Sequence, residues 1–457
     1  MNNLELKEII NRNNNTILQY ITLFEKTKKP IPVSFRKILP ELKNIDRYTH
    51  LIHSYPAKLL VHIPYFFLNN SMLSKEGDTV LDPFCGAGTV LLEGILSKRN
   101  ALGADSNPLA RLITEVKVTK LKTSDLSSIL KDIIKKAKGY KKGEKSNVVN
   151  RDYWFSPNVS ESLSKILKAI TKIECEKIKK FMLVSFSNCV KKVSYADPRV
   201  SVPVKLNLHR YEKGSIKWDK IKNRLFYLRE VNVYDKFEYI VNENIKRFKE
   251  FENIKEKEFD AKVISTDARN LTSSLEKNNI LLSNDSIQLI ISSPPYAGAQ
   301  KYIRATSLNL GWTNLADIKE LTVLDKNTIG RESYKKSEIA ITKTGIKKAD
   351  ELIRKIYKIK PERAFIICTY IIEMEKAFDE MIRVLKKKGF LVLIVGNNKI
   401  CNIEFNAQYY FSNYLINKGL ELKFKLIDDI KSYGLMTKRN KTADIISREW
   451  ILVFQKK

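Results

Sequence analysis

Hydrophobic and polar positions along this chain follow two periods, and the switches between them outline its architecture. Residues 79–81 form a short apolar run after a Gly77-Asp78 turn, and Thr89–Leu96 is apolar at helical length. A turn with Gly86 and Gly88 joins them. Residues 101–104 form a second short run ending in Asp105. Asn107 and Pro108 then suit an N-cap and the first position of a helix. Residues 79–116 therefore predict strand, helix, strand, helix, which implies a parallel sheet with crossover helices. Residues 262–267 and 286–291 resume the alternation as third and fourth strands. Further on, Met374, Ala377, Phe378, Met381, Ile382 and Leu385 keep helical spacing, and Gly389 suits the C-cap. Residues 390–395 are continuously apolar, as a central parallel strand should be. Residues 405–417 predict a helix, and 420–427 and 449–454 a last pair of strands in a hairpin.

Two stretches break this rhythm. Residues 120–260 read as an insertion: a helical segment at 124–138, an aromatic cluster at 151–155, two helices within 160–190, and a basic stretch at 191–224 with Pro198 and Pro203. Residues 297–361 read as irregular. Residues 1–50 read as surface helices broken by Pro30 and Pro32. The expected organisation is an N-terminal helical segment (1–50), an α/β domain in two parts (51–119 and 261–457), and the insertion between them (120–260).

Composition narrows the setting. At 457 residues the chain is too long for one compact core. Hydrophobic residues make up 43% and the mean hydropathy is -0.29, which is globular composition. No apolar run reaches the ~18 residues of a membrane span, and the N-terminus lacks a signal-peptide layout. Five cysteines lie far apart with no Cys-x-x-Cys, and there are four histidines. A reduced, cytoplasmic protein without a metal is expected. The net charge of +31 and pI near 9.7 suit a polyanionic partner. A lysine-rich composition would give the same totals, and the lysines are spread rather than gathered in an arm.

The chemistry concentrates at strand ends. Asp105 follows Asp82 by the interval, about 20 residues past a glycine turn, at which dinucleotide-binding folds place a ribose-binding carboxylate. Asp267 ends the third strand at the same sheet edge. A carboxylate after a strand is often only a helix cap; three on neighbouring strands beside a glycine turn mark a nucleoside site. The second motif, Ser293-Pro294-Pro295-Tyr296, follows a buried strand. Two prolines lack N–H donors and fix the loop, leaving its carbonyls free to accept. Tyr296 adds a flat aromatic face.

Taken together, Asp82-Pro83-Phe84-Cys85-Gly86-Ala87-Gly88-Thr89 and Ser293-Pro294-Pro295-Tyr296 resemble the exocyclic-amino DNA methyltransferases. The leading Ser is typical of the N4-cytosine branch; the N6-adenine branch more often has Asp or Asn. Residues 53–58, 103–108, 395–398 and 447–452 fit the same branch, so the resemblance spans about 50–120 and 260–457. It implies a Rossmann-like fold with a mostly parallel seven-stranded sheet plus a helical or irregular insertion. It also implies S-adenosylmethionine as cofactor, double-stranded DNA as substrate, and a partner restriction endonuclease. The implied cofactor contacts are Asp82, Pro83, Phe84, Gly86, Gly88, Thr89, Asp105 and Asp267, with Tyr55 and Lys58 closing over the methionine end. Ser293, Pro294, Pro295 and Tyr296 would hold the target base. N6-adenine methylation, RNA methylation and a catalytically silent DNA-binding protein are the rivals. C5-cytosine methylation needs a cysteine nucleophile, usually after proline, and no Pro-Cys occurs here. Residues 120–260 and 297–361 are where DNA would be read.

Overall fold

The computed structural model describes residues 3–42, 47–56, 58–254, 258–275, 280–297, 301–331, 334, 336–340, 342–430 and 447–457. Ala57 of the 53–58 motif and the connection between the last two strands lie outside the described residues.

Ten strands occur among the described residues: β1 (Ile31–Val33), β2 (Thr79–Asp82), β3 (Asn100–Ala104), β4 (Ala261–Ser265), β5 (Ile287–Ser292), β6 (Leu385–Val395), β7 (Asn398–Ile400), β8 (Ile403–Phe405), β9 (Leu420–Asp429) and β10 (Arg448–Lys456). Eight form one sheet in the order β1-β9-β10-β6-β5-β2-β3-β4. Pairing is parallel except that β10 runs antiparallel to both β6 and β9. The chain builds outward from β2 through β3 to β4, then returns to the other side of β2 with β5 and β6. Strand order thus reverses between β2 and β5.

Period-two burial divides the sheet's side chains between two cores. On one face Val80, Ala101, Leu289, Ile291, Val392 and Ile394 pack under the helices Asn3–Thr27, His62–Leu68 and Thr89–Leu96. On the other, Leu81, Ile290, Leu391, Leu393 and Val395 pack under Pro361–Val384 and Ala407–Asn417. The 120–260 stretch supplies a third core. Its helices Leu126–Gly139, Pro157–Thr171, Glu176–Lys192 and Val233–Glu252 bury Phe155, Phe181, Phe186 and Phe237 against Trp312 and the helix Pro108–Val118.

The strand–helix order read from residues 79–116 is present, with Asn107 accepting from the Leu109 N–H and Pro108 opening the helix. Several expectations are corrected. Residues 31–33 form a strand, which adds an eighth member to the sheet. It pairs parallel to β9 at the edge, where Pro32 loses little by lacking an N–H. Residues 297–361 are not irregular: they contain the helices Tyr302–Trp312, Ile318–Asn327 and Lys347–Ile359. The second opens with a full capping box, Asp317 with Glu320, a signal that local reading passes over because the helix buries none of its residues. The next helix begins at Pro361, well before Met374, and ends at Val384. Gly389 therefore caps nothing. It sits inside β6, where a Cβ would lie 2.9 Å from the Lys386 carbonyl and 3.0 Å from that of Gln288. The register shift between β5 and β6 falls at this close approach. Residues 398–405 form the β7–β8 hairpin, so the following helix starts at Ala407 rather than at 405.

Candidate active site

Four parallel strands end side by side, and each delivers one chemical group to the same edge. β2 ends in Asp82, β3 leads into Asp105, β4 into Asp267, and β5 into Ser293. The cleft between them sits where strand order reverses, the usual ligand position in open α/β sheets. The space between its walls, counting the part open to solvent, is about 670 Å³.

The glycine turn is knit largely by its own neighbourhood. Gly86 and Gly88 have φ of 50° and 73°, left-handed values that glycine adopts without strain. Gly88 has a second constraint, since a Cβ there would lie 2.8 Å from Thr114 Cγ2. The Cys85 N–H donates to the Ala104 carbonyl at 2.9 Å, and the Gly88 N–H to Cys85 at 2.7 Å. The Thr114 hydroxyl donates to the Gly86 carbonyl at 2.9 Å. Asp105 completes the turn: it accepts the Gly86 N–H at 2.9 Å and the Asn107 N–H at 2.8 Å. Burial raises its carboxyl pKa above the usual range, and these two N–H bonds work against that rise.

Most of the residues read from sequence converge here. Tyr55, Pro83, Phe84, Gly86, Asp105, Asp267, Ser293 and Pro295 line the cleft. Others stand behind it. Asp82 is buried and does not line the cleft. Its carboxyl accepts the Ser292 hydroxyl at 2.7 Å and the Phe84 N–H at 3.1 Å. Burial pushes its pKa up to about 7, with both hydrogen bonds opposing. Asp82 thus ties β2 to the last residue of β5, joining the two motifs through Ser292, which local reading passes over. Gly88 and Thr89 form the buried start of the helix Thr89–Leu96. Lys58 donates to the His50 carbonyl at 2.6 Å and does not line the cleft. Pro294 is buried, and Tyr296 also stands outside the lining.

Asp267 is engaged by Arg269, whose guanidinium reaches its oxygens at 2.8, 2.9 and 3.1 Å. Arg269 also donates to Glu373 at 3.1 Å and to the Asn327 carbonyl at 2.9 Å. It thereby holds Asn327, Thr328 and Ile329 against the cleft. Tyr302, the first residue of its helix, adds another wall. None of these four is visible as a motif, because their role comes from helices that local reading treated as irregular. Asn107 is a further junction: beyond capping its helix it donates to Tyr55 Oη at 3.2 Å and Thr306 Oγ1 at 3.1 Å.

The Ser-Pro-Pro-Tyr loop is held from a distance. Buried Tyr370 donates its hydroxyl to the Pro295 carbonyl at 2.7 Å. Asn398 donates to the Ala297 carbonyl at 3.0 Å. The Tyr296 hydroxyl meets Glu449 of β10 at 3.4 Å. Burial pushes the Glu449 carboxyl up to about 7, with Tyr296 lowering it, Asp428 raising it further and Arg36 opposing.

An open, mostly parallel sheet of this order, with its cleft at the reversal and a glycine turn on β2, has a Rossmann-like architecture. Comparison with known proteins narrows the class. Residues 11–115 match the family described as DNA methylase, of the N6/N4 type. The type II methyltransferase M.MvaI of Kocuria varians is 23% identical over 421 residues, covering 88% of each chain. The type II methyltransferase M.MjaII of Methanocaldococcus jannaschii is 34% identical over 100 residues, covering 22% of this chain and 18% of that one. Among solved structures, the rRNA methyltransferase aviRa of Streptomyces viridochromogenes covers 88% of each chain at 10% identity, with a TM-score of 0.27, too low to bear on the fold. These matches support a DNA methyltransferase of the N6/N4 amino class, and that similarity implies S-adenosylmethionine as methyl donor. No helix among the described residues is long and apolar enough to cross a membrane.

Proposed function

We propose that this protein methylates the N4 amino group of cytosine at a short specific site in double-stranded DNA. It would act in the cytoplasm as the modification partner of a restriction endonuclease. The observation that carries this reading is that Ser293 and Pro295 line the same cleft as Gly86, Asp105 and Asp267. A donor half and an acceptor half thus face one space.

The cleft suits the cofactor. Gly86 brings bare backbone to its wall, Asp105 offers a carboxylate for ribose hydroxyls, and Phe84 and Pro83 supply apolar surface. Asp267 would take the adenine amino group with the lone-pair capacity Arg269 leaves, and Tyr55 would cover the methionine end. When bound, S-adenosylmethionine supplies an electrophilic methyl group. The protein's part is to make a poor nucleophile usable. The cytosine amino lone pair is delocalised into its ring. The Ser293 hydroxyl and the Pro294 carbonyl would accept its two N–H bonds, favouring a pyramidal nitrogen whose lone pair points at the methyl carbon. Transfer would then proceed in line, with the N–C bond forming as the S–C bond breaks and one amino proton passing through the Ser293 hydroxyl to solvent, and positioning would supply much of the acceleration. The base must leave the helix, at a few kcal/mol, and stacking on Tyr296 would offset part of that.

The test is nucleoside analysis of duplex DNA treated with the protein and labelled cofactor. N4-methylcytosine is expected. N6-methyladenine would move the target to adenine on the same machinery. Label in RNA but not in DNA, or in neither, would overturn the reading.

A further inference from the structure

Two stretches of the insertion, far apart in sequence, meet on one surface. The Tyr195 N–H donates to the Trp154 carbonyl at 2.8 Å, and the Leu206 N–H to the Tyr195 carbonyl at 2.8 Å. An antiparallel bridge joins Ala196 to Lys205. The Lys205 ammonium then lies 4.2 Å from the Tyr153 ring centroid and 5.4 Å from that of Tyr195. The helix Ile216–Glu230 completes this module. Its Ile221 and Leu228 pack with Leu206 in a small cluster of their own, separate from the three large cores. Asn223 and Phe226 lie on the face opposite Ile221 and Leu228, and Phe226 is 67% exposed.

The module is strongly basic. Residues 191–229 hold 11 Lys and Arg against 3 Asp and Glu. Asp197 is taken by Arg199. Arg210, Lys213, Lys217 and Lys220 are exposed, and no carboxylate pairs with them among the described residues. The module also sits beside the cleft. Lys191 donates to the carbonyls of Val200 at 3.1 Å and Ser201 at 2.8 Å. The same lysine lines a small cavity with His53 and Thr306. Thr306 lies on the helix whose first residue, Tyr302, walls the cleft.

We propose that this module, residues 194–230 with Tyr153, is the surface that reads duplex DNA, and that the helix Ile216–Glu230 enters the major groove. The proposal rests on the DNA reading above and deepens it. A 15-residue helix is ~22 Å long and ~10–12 Å across, which a major groove ~12 Å wide admits. Arg210, Lys213, Lys217 and Lys220 contact phosphates on its N-terminal side. Asn223 and Phe226 face base edges. The four large helices of the insertion are then a buttress that carries the module.

The test is the triple variant Lys213→Gln, Lys217→Gln, Lys220→Gln, with a duplex oligonucleotide carrying the methylated site mapped in modified DNA. KM for the duplex should rise at least ~10-fold near physiological salt, and the log–log salt slope should fall by about 2–3, near 0.9 per lost phosphate contact. Cofactor affinity and kcat at saturating DNA should not change. A second variant, Asn223→Ala with Phe226→Ala, should raise methylation of near-cognate relative to cognate sites by roughly 10-fold. Unchanged KM and slope in the triple variant would overturn the proposal, as would a loss of RNA binding with duplex binding intact. Loss of duplex binding in the triple variant, in a protein whose wild type transfers no methyl to DNA, would support the module and overturn the reaction assigned above.

Discussion

The two halves of the cleft are stabilised in opposite ways. The donor half, residues 82–89 with Asp105, is secured mainly by residues within about 30 positions: Cys85 to Ala104, Gly86 to Asp105, Thr114 to Gly86. The acceptor half, residues 293–297, has two prolines and so few donors of its own. Beside a local bond between Ser293 and Tyr296, it is held by bonds with Tyr370, Asn398 and Glu449, which lie 75, 101 and 153 positions from their partners. The difference fits the two tasks. A cofactor site that takes the same molecule every turnover gains from a preformed turn. A loop that would, on the function proposed above, receive a base flipped from duplex DNA can be tuned through its outlying supports. Among the described residues, Asp82 meets Ser292, the residue just before the acceptor loop, in a buried side-chain pair at 2.7 Å that links the two halves.

The largest effect should come from breaking the donor half. Asp105→Ala removes a carboxylate that two backbone N–H groups of the turn depend on. A hydrogen bond to a charged group is worth ~1.5–3 kcal/mol, so cofactor affinity should fall roughly 100-fold or more. Isothermal titration with S-adenosylmethionine measures it, and an unchanged Kd would move the ribose contact away from Asp105. The acceptor half should respond through turnover instead. Tyr296→Ala should lower kcat/KM for DNA by roughly 10–100-fold, the range expected when a base loses ~1–3 kcal/mol of aromatic stacking. Its cofactor Kd should stay within about two-fold of wild type. A variant that loses cofactor affinity and keeps turnover would erase the distinction between the halves.

The same contrast explains what could be read locally. The turn, Asp105, the Asn107 cap and the strand–helix order all rest on neighbours in sequence, and each was visible as a pattern of residue types. Ser293–Tyr296 was visible because two prolines after a buried strand are themselves unusual. Tyr370, Asn398 and Glu449 were not, because a tyrosine in an apolar helix or a glutamate in an edge-proximal strand looks the same whether or not a loop lies against it. Two of the three helices within 297–361 escaped for a different reason, whereas the third, Lys347–Ile359, carries a one-sided stripe of Ala349, Leu352, Ile353 and Ile356 that the sequence does show. Ile318–Asn327 has no buried residue and Tyr302–Trp312 is buried along most of its length, so neither shows a clean one-sided stripe. The β1 strand was hidden by Pro32, which is tolerated only because that strand is at the edge.

A smaller effect should isolate one outlying support. Tyr370→Phe keeps the ring packing and removes the hydroxyl from the Pro295 carbonyl. Leaving a buried acceptor without its partner costs about 1–3 kcal/mol, and the exposed mouth of the cleft offers water as a partial substitute. A fall in kcat of roughly 5–10-fold is expected, with cofactor Kd unchanged. Thr114→Val makes the matching deletion in the donor half, where the expected loss moves to cofactor Kd. Stopped-flow methyl transfer and equilibrium titration of both variants separate the two outcomes.

The smallest and most discriminating change is Glu449→Gln. Burial, with Asp428 beside it, holds the Glu449 carboxyl at about 7. Above that pH the ionised group accepts from Tyr296; below it the neutral acid accepts more weakly. Wild-type kcat should therefore rise through an inflection near pH 7. Glu449→Gln should lose no more than about three-fold in kcat at pH ~8 and should flatten that inflection. Stability has the opposite sign. A carboxyl whose folded pKa lies above its unfolded value binds more protons when folded. Its contribution is favourable at low pH and lost as pH rises from ~4.3 toward about 7. Glutamine removes that loss, so Tm of the variant relative to wild type should rise between about pH 5 and about pH 8. A merely structural glutamate would give a uniform drop in stability and an unshifted pH profile. If kcat and Tm move in opposite directions with pH, the acceptor loop is held by a group that stabilises the tyrosine at some expense to the fold.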